Sequence, residues 1–137
     1  MPSISVIIPT LNSADFLPRC LASVRRVLPE AQVLVADGGS GDLTRDGAAA
    51  VGAAVVVSAP GRGVQMNAAA RQAKGELLIF LHADSVFAGA IQPVLETRFA
   101  DPRVQAATCR LRFDHRHALL ALYGWLTRFD KIGRAHV

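Results

Sequence analysis

The chain is poor in several things, and each scarcity excludes a class of protein. Two cysteines, Cys20 and Cys109, show neither a metal-ligating nor a redox spacing, which sets aside a disulfide scaffold and a zinc module. The longest apolar run late in the chain, Ala118 to Leu126, falls short of the roughly 20 residues that span a bilayer. Met1-Pro2-Ser3 leads directly into apolar residues without a charged leader, so no signal peptide is expected. No G-x-x-x-x-G-K-[ST] occurs, which removes the P-loop, and Pro9-Thr10-Leu11-Asn12 stands where a dinucleotide fold would carry its glycines. The Gly61-x-Gly63 pair lacks a third glycine and does not restore that reading. Acidic residues become scarce late. Residues 1–97 carry 7 Lys/Arg against 8 Asp/Glu, and residues 98–137 carry 8 against 3.

What is present describes one globular domain: 137 residues, 51% of them hydrophobic and 19% charged. Ser3 to Pro9 is a β-branched strand stopped by proline. Asn12 or Ser13 can cap the following helix, whose apolar face is Phe16, Leu17, Cys20, Leu21, Val24 and Leu28. Val33 to Ala36 is a second strand ending at Asp37, followed by the glycine loop Gly38-Gly39-Ser40-Gly41-Asp42 and a short helix from about Leu43 to Gly52. Ala53 to Ser58 is a third strand, and Val64 to Lys74 an alanine-rich helix closed by Gly75. The run Leu77-Leu78-Ile79-Phe80-Leu81 then reads as a strand buried on both faces, at the middle of the sheet. Further on, a helix over Ala90–Ala100, an alternating strand over Thr108–Asp114 and an amphipathic helix with Leu119, Leu122, Tyr123, Leu126 and Phe129 are expected. Alternating strands and helices define a doubly wound, mostly parallel α/β sheet, whose ligands sit beyond the carboxyl ends of the strands.

Four loops meet at that edge: Thr10–Asn12, Asp37–Ser40, Gly61–Asn67 and His82–Ser85. In their motifs, Ile7-Ile8-Pro9-Thr10-Leu11-Asn12, Val35-Ala36-Asp37-Gly38-Gly39-Ser40-Gly41-Asp42, Gly61 to Asn67 and Phe80-Leu81-His82-Ala83-Asp84, the chain resembles a family 2 glycosyltransferase of the GT-A fold. The resemblance covers residues 3 to about 115, and within the family it is similar to a small bacterial subgroup carrying Phe-Leu-His-Ala-Asp in place of the usual Asp-x-Asp. It implies a Rossmann-like donor-binding half, with a nucleotide-diphosphate sugar held by Thr10, Asp37, Gly38, Arg62, Asn67 and Asp84. It implies Mg²⁺ or Mn²⁺ on Asp84, since a magnesium-type ion takes one or two carboxylates and fills its shell from phosphate and water.

Bland alternatives stand beside these roles. Asp37 can cap its own Gly-Gly turn, Asp84 can cap the following turn, and Arg62 can be merely solvated. His82, where the family has its first Asp, is a weaker ligand, a donor to phosphate, or strand-end packing, with packing preferred. The implied reaction is inverting transfer of a hexosyl group to an unknown acceptor, a lipid-like one being one option. The implied base lies past the Asp-x-Asp region, and Asp101, Asp114 and Asp130 are the only later carboxylates, none in the expected context. The catalytic residue is therefore unassigned, and a nucleotide-diphosphate-binding module without transferase activity is the alternative.

No nucleic-acid partner is expected. The basic, aromatic end (Arg110, Arg112, Arg116 and Arg128 with Tyr123, Trp125 and Phe129) suits an ordinary helix over the sheet, with peripheral contact at an anionic membrane as the sharper reading. The expected location is cytoplasmic, or at the inner face of the plasma membrane. Domain 1–130 is read as the donor-binding part of a longer fold. Lys131-Ile132-Gly133-Arg134-Ala135-His136-Val137 resembles translated sequencing adapter and is read as a non-native tail, leaving the sheet incomplete at its C-terminus and the fragment inactive and poorly soluble.

Overall fold

The structure is a computed structural model, and it describes residues 2–109. Contacts gather the chain into a first unit, residues 1–96, and a second, residues 97–137. The expected helix around Leu119–Phe129, the basic aromatic end, the tail 131–137 and all but Thr108 and Cys109 of the expected strand lie outside the described residues.

The first unit is built on four parallel strands, β1 (Ile4–Thr10), β2 (Gln32–Asp37), β3 (Ala54–Val57) and β4 (Leu77–Phe80), in the order β3-β2-β1-β4. Helices α1 (Leu17–Val27), α2 (Thr44–Ala50) and α3 (Arg62–Ala70) connect them, and α4 (Gln92–Phe99) follows. This is the doubly wound α/β architecture that the motif order implies.

The two faces of the sheet have separate cores. Ile4, Val6 and Ile8 of β1 alternate with Ser5 and Ile7, so the strand feeds both. On one side Val33 and Val35 join them against Leu17, Cys20, Leu21 and Val24 of α1, Leu28 just after it, and Ala48 of α2. On the other, Ile7, Leu34, Ala36 and Val56 meet Ala69 of α3. The small residues Ala68, Ala69 and Ala70 let α3 lie close to the sheet.

Three expectations need correction. Among the described residues the strand Leu77–Leu81 stands at the edge of the sheet and not at its middle: β4 pairs there only with β1, and Leu78 and Phe80 are 36% and 50% exposed. Helix α3 packs over β1, β2 and β3 and leaves that strip uncovered, so β1 and β2 are the strands buried on both faces. Asn12 and Ser13 do not cap α1, which starts at Leu17 after a turn in which Phe16 and Leu17 donate to the Ser13 carbonyl. Gly75 does not close α3, which ends at Ala70; it lies just before β4 with its N–H donating to Ser5 Oγ at 2.8 Å.

Candidate functional site

Chain order turns back on itself beside β1: β2 and β3 build outward on one side, β4 on the other. Such a switch point opens a crevice at the carboxyl ends of the strands, where the amide groups and side chains of the following loops are free for a ligand. Here the switch point lies between the ends of β1 and β4, where the loop after each strand begins. Leu81 N donates to the Ile7 carbonyl at 3.0 Å, carrying the pairing of these strands one residue past β4.

Asp37 ends β2 in register with Thr10, and its side chain is 0% exposed. Its Oδ1 accepts from Gly39 N at 3.0 Å and Ser40 N at 2.8 Å; its Oδ2 accepts from Ser40 Oγ at 2.5 Å and Thr10 Oγ1 at 3.1 Å. Burial alone would favour the neutral acid, but these four donors outweigh it and hold the carboxyl below the usual carboxylate range. Arg45 Nε stands 3.9 Å from Oδ1. With two donors on each oxygen, Asp37 has no free acceptor turned outward for a nucleobase. The geometry is that of the turn-capping alternative, extended to include Thr10, whose hydroxyl also faces inward.

Through Ser40 that hub reaches the neighbouring loop. Asn12 N donates to Ser40 Oγ at 2.8 Å, and Asn12 Oδ1 accepts from Gly41 N at 2.9 Å. Ser13 N donates to Thr44 Oγ1 at 2.9 Å and Ala14 N to Asp42 Oδ2 at 3.1 Å, while Thr44 Oγ1 donates to Asp42 Oδ1. The loop after β1 is thus suspended, amide by amide, from side chains of the loop after β2. Asn12 holds it there in the left-handed region at φ 49°, where a short polar side chain is tolerated.

Sequence reasoning missed Gln65. It is buried on α3, donates from Nε2 to the carbonyls of Thr10 and Ala36, both at 2.7 Å, and accepts at Oε1 from Gly61 N at 3.2 Å. One amide therefore fixes the start of α3 against the ends of β1 and β2. Gly38 packs directly on it: a Cβ there would lie 2.9 Å from Gln65 Cδ and Oε1. Arg62, in the first turn of α3, is exposed beside this clamp. Asn67 is exposed five residues on, about 7.5 Å along the axis, and is not tied to the loops.

Asp84 lies past β4, exposed, with a single weak contact from Ser85 Oγ at 3.4 Å. It caps no helix. Most of its acceptor capacity is free, which suits a hard cation shared with a ligand's oxygens. No group of three or more His, Cys, Asp or Glu among the described residues could form an all-protein cage, so the fit is to a shared site only. His82 is exposed rather than packed; its backbone carbonyl is the engaged group, accepting from Ser85 N at 3.0 Å and Cys20 Sγ at 3.6 Å. Burial, reinforced by the negative charge of Asp84, pushes the Cys20 thiol up to about 12, which makes it an inert core residue.

The second unit contains one of the later carboxylates. Asp101 accepts from Arg103 Nε at 3.0 Å and Nη2 at 2.8 Å, and that pairing holds it below its ordinary range. Asp114 and Asp130 lie outside the described residues. No helix among the described residues is long and apolar enough to cross a membrane.

Known proteins share both the sequence pattern and this fold. The family model of glycosyl transferase family 2 matches residues 5–127. A mannosyltransferase from Pyrobaculum calidifontis, in complex with GDP-Man and Mn²⁺, is 27% identical over 81% of this chain and 36% of its own, with a TM-score of 0.68. Glucosyl-3-phosphoglycerate synthase from Mycobacterium tuberculosis, in complex with Mn²⁺, UDP and phosphoglyceric acid, is 24% identical over 73% of this chain and 39% of its own, with a TM-score of 0.62. TarS from S. aureus is 23% identical over 78% of this chain and 23% of its own, with a TM-score of 0.63. The chain therefore spans well under half the length of these three proteins. No curated protein matches it.

Proposed function

The chain belongs to glycosyl transferase family 2, and from that membership we propose that its crevice binds the nucleotide-diphosphate part of a sugar donor together with a divalent metal ion. The observation that carries this reading is Asp84: a carboxylate with free acceptor positions, at the carboxyl end of β4, beside the switch point of a parallel sheet. The mannosyltransferase complex with GDP-Man and Mn²⁺ supports it, because that protein is similar over most of this chain.

In this reading Asp84 would hold Mg²⁺ or Mn²⁺ at the donor site, with its free acceptor positions turned to the ion. The ion supplies charge neutralisation for the departing diphosphate. Arg62 is placed to add a second positive charge from the start of α3. Gly38 and the loop after β1 line the nucleoside side, and Thr10 and Asp37 act from behind by fixing those loops. Asn67 borders the site further along α3. The transfer proposed for the whole protein is inverting. An acceptor hydroxyl attacks the anomeric carbon, its proton passes to a carboxylate base, and the C–O bond to the diphosphate breaks with its electron pair leaving on oxygen. Asp101, committed to Arg103, is a poor candidate for the base.

The test is titration of UDP and GDP with and without Mn²⁺. At least one should bind, and Mn²⁺ should tighten it. Asp84→Ala should remove that tightening, worth roughly 10- to 100-fold for a charged partner, and leave metal-free affinity nearly unchanged. Equal Mn²⁺ enhancement in wild type and variant would place the metal elsewhere.

A further inference from the structure

We propose that Ser23 and Arg26 of α1, with Cys20 one turn earlier, are positioning residues that hold Asp84 where a donor-bound divalent ion requires it. The inference rests on the donor-site reading above and names residues that reading does not use.

Asp84 itself is almost unrestrained: its carboxylate receives one weak contact from its own neighbour, Ser85. Its position must come from the backbone of residues 82–87. That segment is gripped from α1 at both ends. Upstream, Cys20 Sγ donates to the His82 carbonyl at 3.6 Å. Downstream, Phe87 N donates to Ser23 Oγ at 3.2 Å, and Arg26 Nη2 donates to the Phe87 carbonyl at 2.8 Å. Ser23 is itself fixed by donating to the Cys20 carbonyl at 2.7 Å. Residues 20, 23 and 26 recur every three positions and so share one stripe of the helix. Ala83, between the two grips, and Phe87, at the downstream one, join the core cluster to which α1 contributes. Asp84 is therefore an exposed ligand on a loop whose polar anchors at both ends come from one helix, α1.

Such groups matter to a metal site because they fix where the ligand stands before the ion arrives. Loss of supporting contacts typically costs about 10- to 100-fold in metal affinity. The same bonds could serve only the stability of the fold, and the two roles separate in one measurement. The nucleotide affinity ratio with and without Mn²⁺ reads the position of Asp84; the metal-free affinity and the melting temperature read the fold.

Arg26→Ala and Ser23→Ala are to be compared with wild type and Asp84→Ala by calorimetric titration of UDP and GDP, with and without MnCl₂. The expected result is a Mn²⁺ enhancement reduced by about tenfold in the α1 variants, with metal-free affinity within about twofold of wild type. Arg26→Lys, which keeps a donor for the Phe87 carbonyl, should recover most of the enhancement. Should Ser23→Ala fail to fold, Arg26→Ala decides alone, because that side chain is exposed and its removal opens no cavity. Loss of enhancement in Asp84→Ala but not in the α1 variants overturns this inference and leaves the donor site standing. Full enhancement in Asp84→Ala, or no binding of either nucleotide, overturns the donor-site reading and this inference with it.

Discussion

Asp37→Ala is expected to lose about 3 kcal/mol or more of unfolding free energy, because it strands several buried donors at once. Gly39 N, Ser40 N, Ser40 Oγ and Thr10 Oγ1 all converge on its carboxylate. Each unsatisfied buried donor costs about 1–3 kcal/mol, partly recovered where the loop opens to water. Urea unfolding should show a lower midpoint at unchanged slope. A pH dependence follows with a definite sign. The folded-state pKa of Asp37 lies below its unfolded value, so its contribution is complete above about pH 4 and is lost as the pH falls through the folded value. Asp37→Asn should be less stable at neutral pH and lose less on acidification. Parallel acid slopes in wild type and Asp37→Asn would show that the carboxylate is not the hub described above.

Gly75→Ala is expected to cost about as much for an entirely different reason. A Cβ at Gly75 would stand 2.4 Å from Ser5 N and 2.6 Å from Ile4 C, and both are backbone atoms of β1 that cannot swing aside. Relief requires β4 to move off β1, and overpacking of this kind costs about 1–3 kcal/mol and sometimes more. The Gly75–Ser5 bond and the neighbouring Glu76 N to Ser3 Oγ and Ser3 N to Glu76 Oε2 bonds would go with it. Gly47→Ala in α2 is the contrasting case. Nothing lies within 4 Å of a Cβ there, and an alanine inside a helix should raise stability by about 0.5–1 kcal/mol. Thermal melts of both variants check the pair; similar melting temperatures would contradict the close approach of β4 to β1.

These two residues also show where the sequence could be read and where it could not. The strands, their order along the chain and the parallel architecture were legible, because β-branched runs ending at Pro9 and Asp37 and alternating with helices leave few other folds. The positions of Thr10 and Asp37 at strand ends, of Arg62 near the start of a helix and of Asp84 in the loop after β4 were legible as well, since each follows from where a strand stops. What a side chain faces was not. Nothing in the spacing of Asp37 tells that its carboxylate turns inward on four donors instead of outward. Gly75 follows a helix, and its true constraint, contact with Ser5 seventy residues earlier, is tertiary. The apolar run Leu77–Leu81 says that burial is wanted on both faces but not what supplies it, and α3 covers its neighbours instead. Gln65 carries one signal in the sequence: an amide four residues before Ala69, hence on the alanine stripe of the helix, unlike Asn67.

The central claim is that Asp84 meets a divalent ion shared with a nucleotide diphosphate at the β1–β4 switch point. A crystal grown with Mn²⁺ and UDP or GDP, measured for manganese anomalous scattering, tests it most directly. The account predicts one strong peak within coordination distance of an Asp84 carboxylate oxygen, bridged to the diphosphate, with the nucleoside reaching toward Gly38 and the loop after β1. A bound diphosphate whose manganese peak stands away from Asp84 would contradict it.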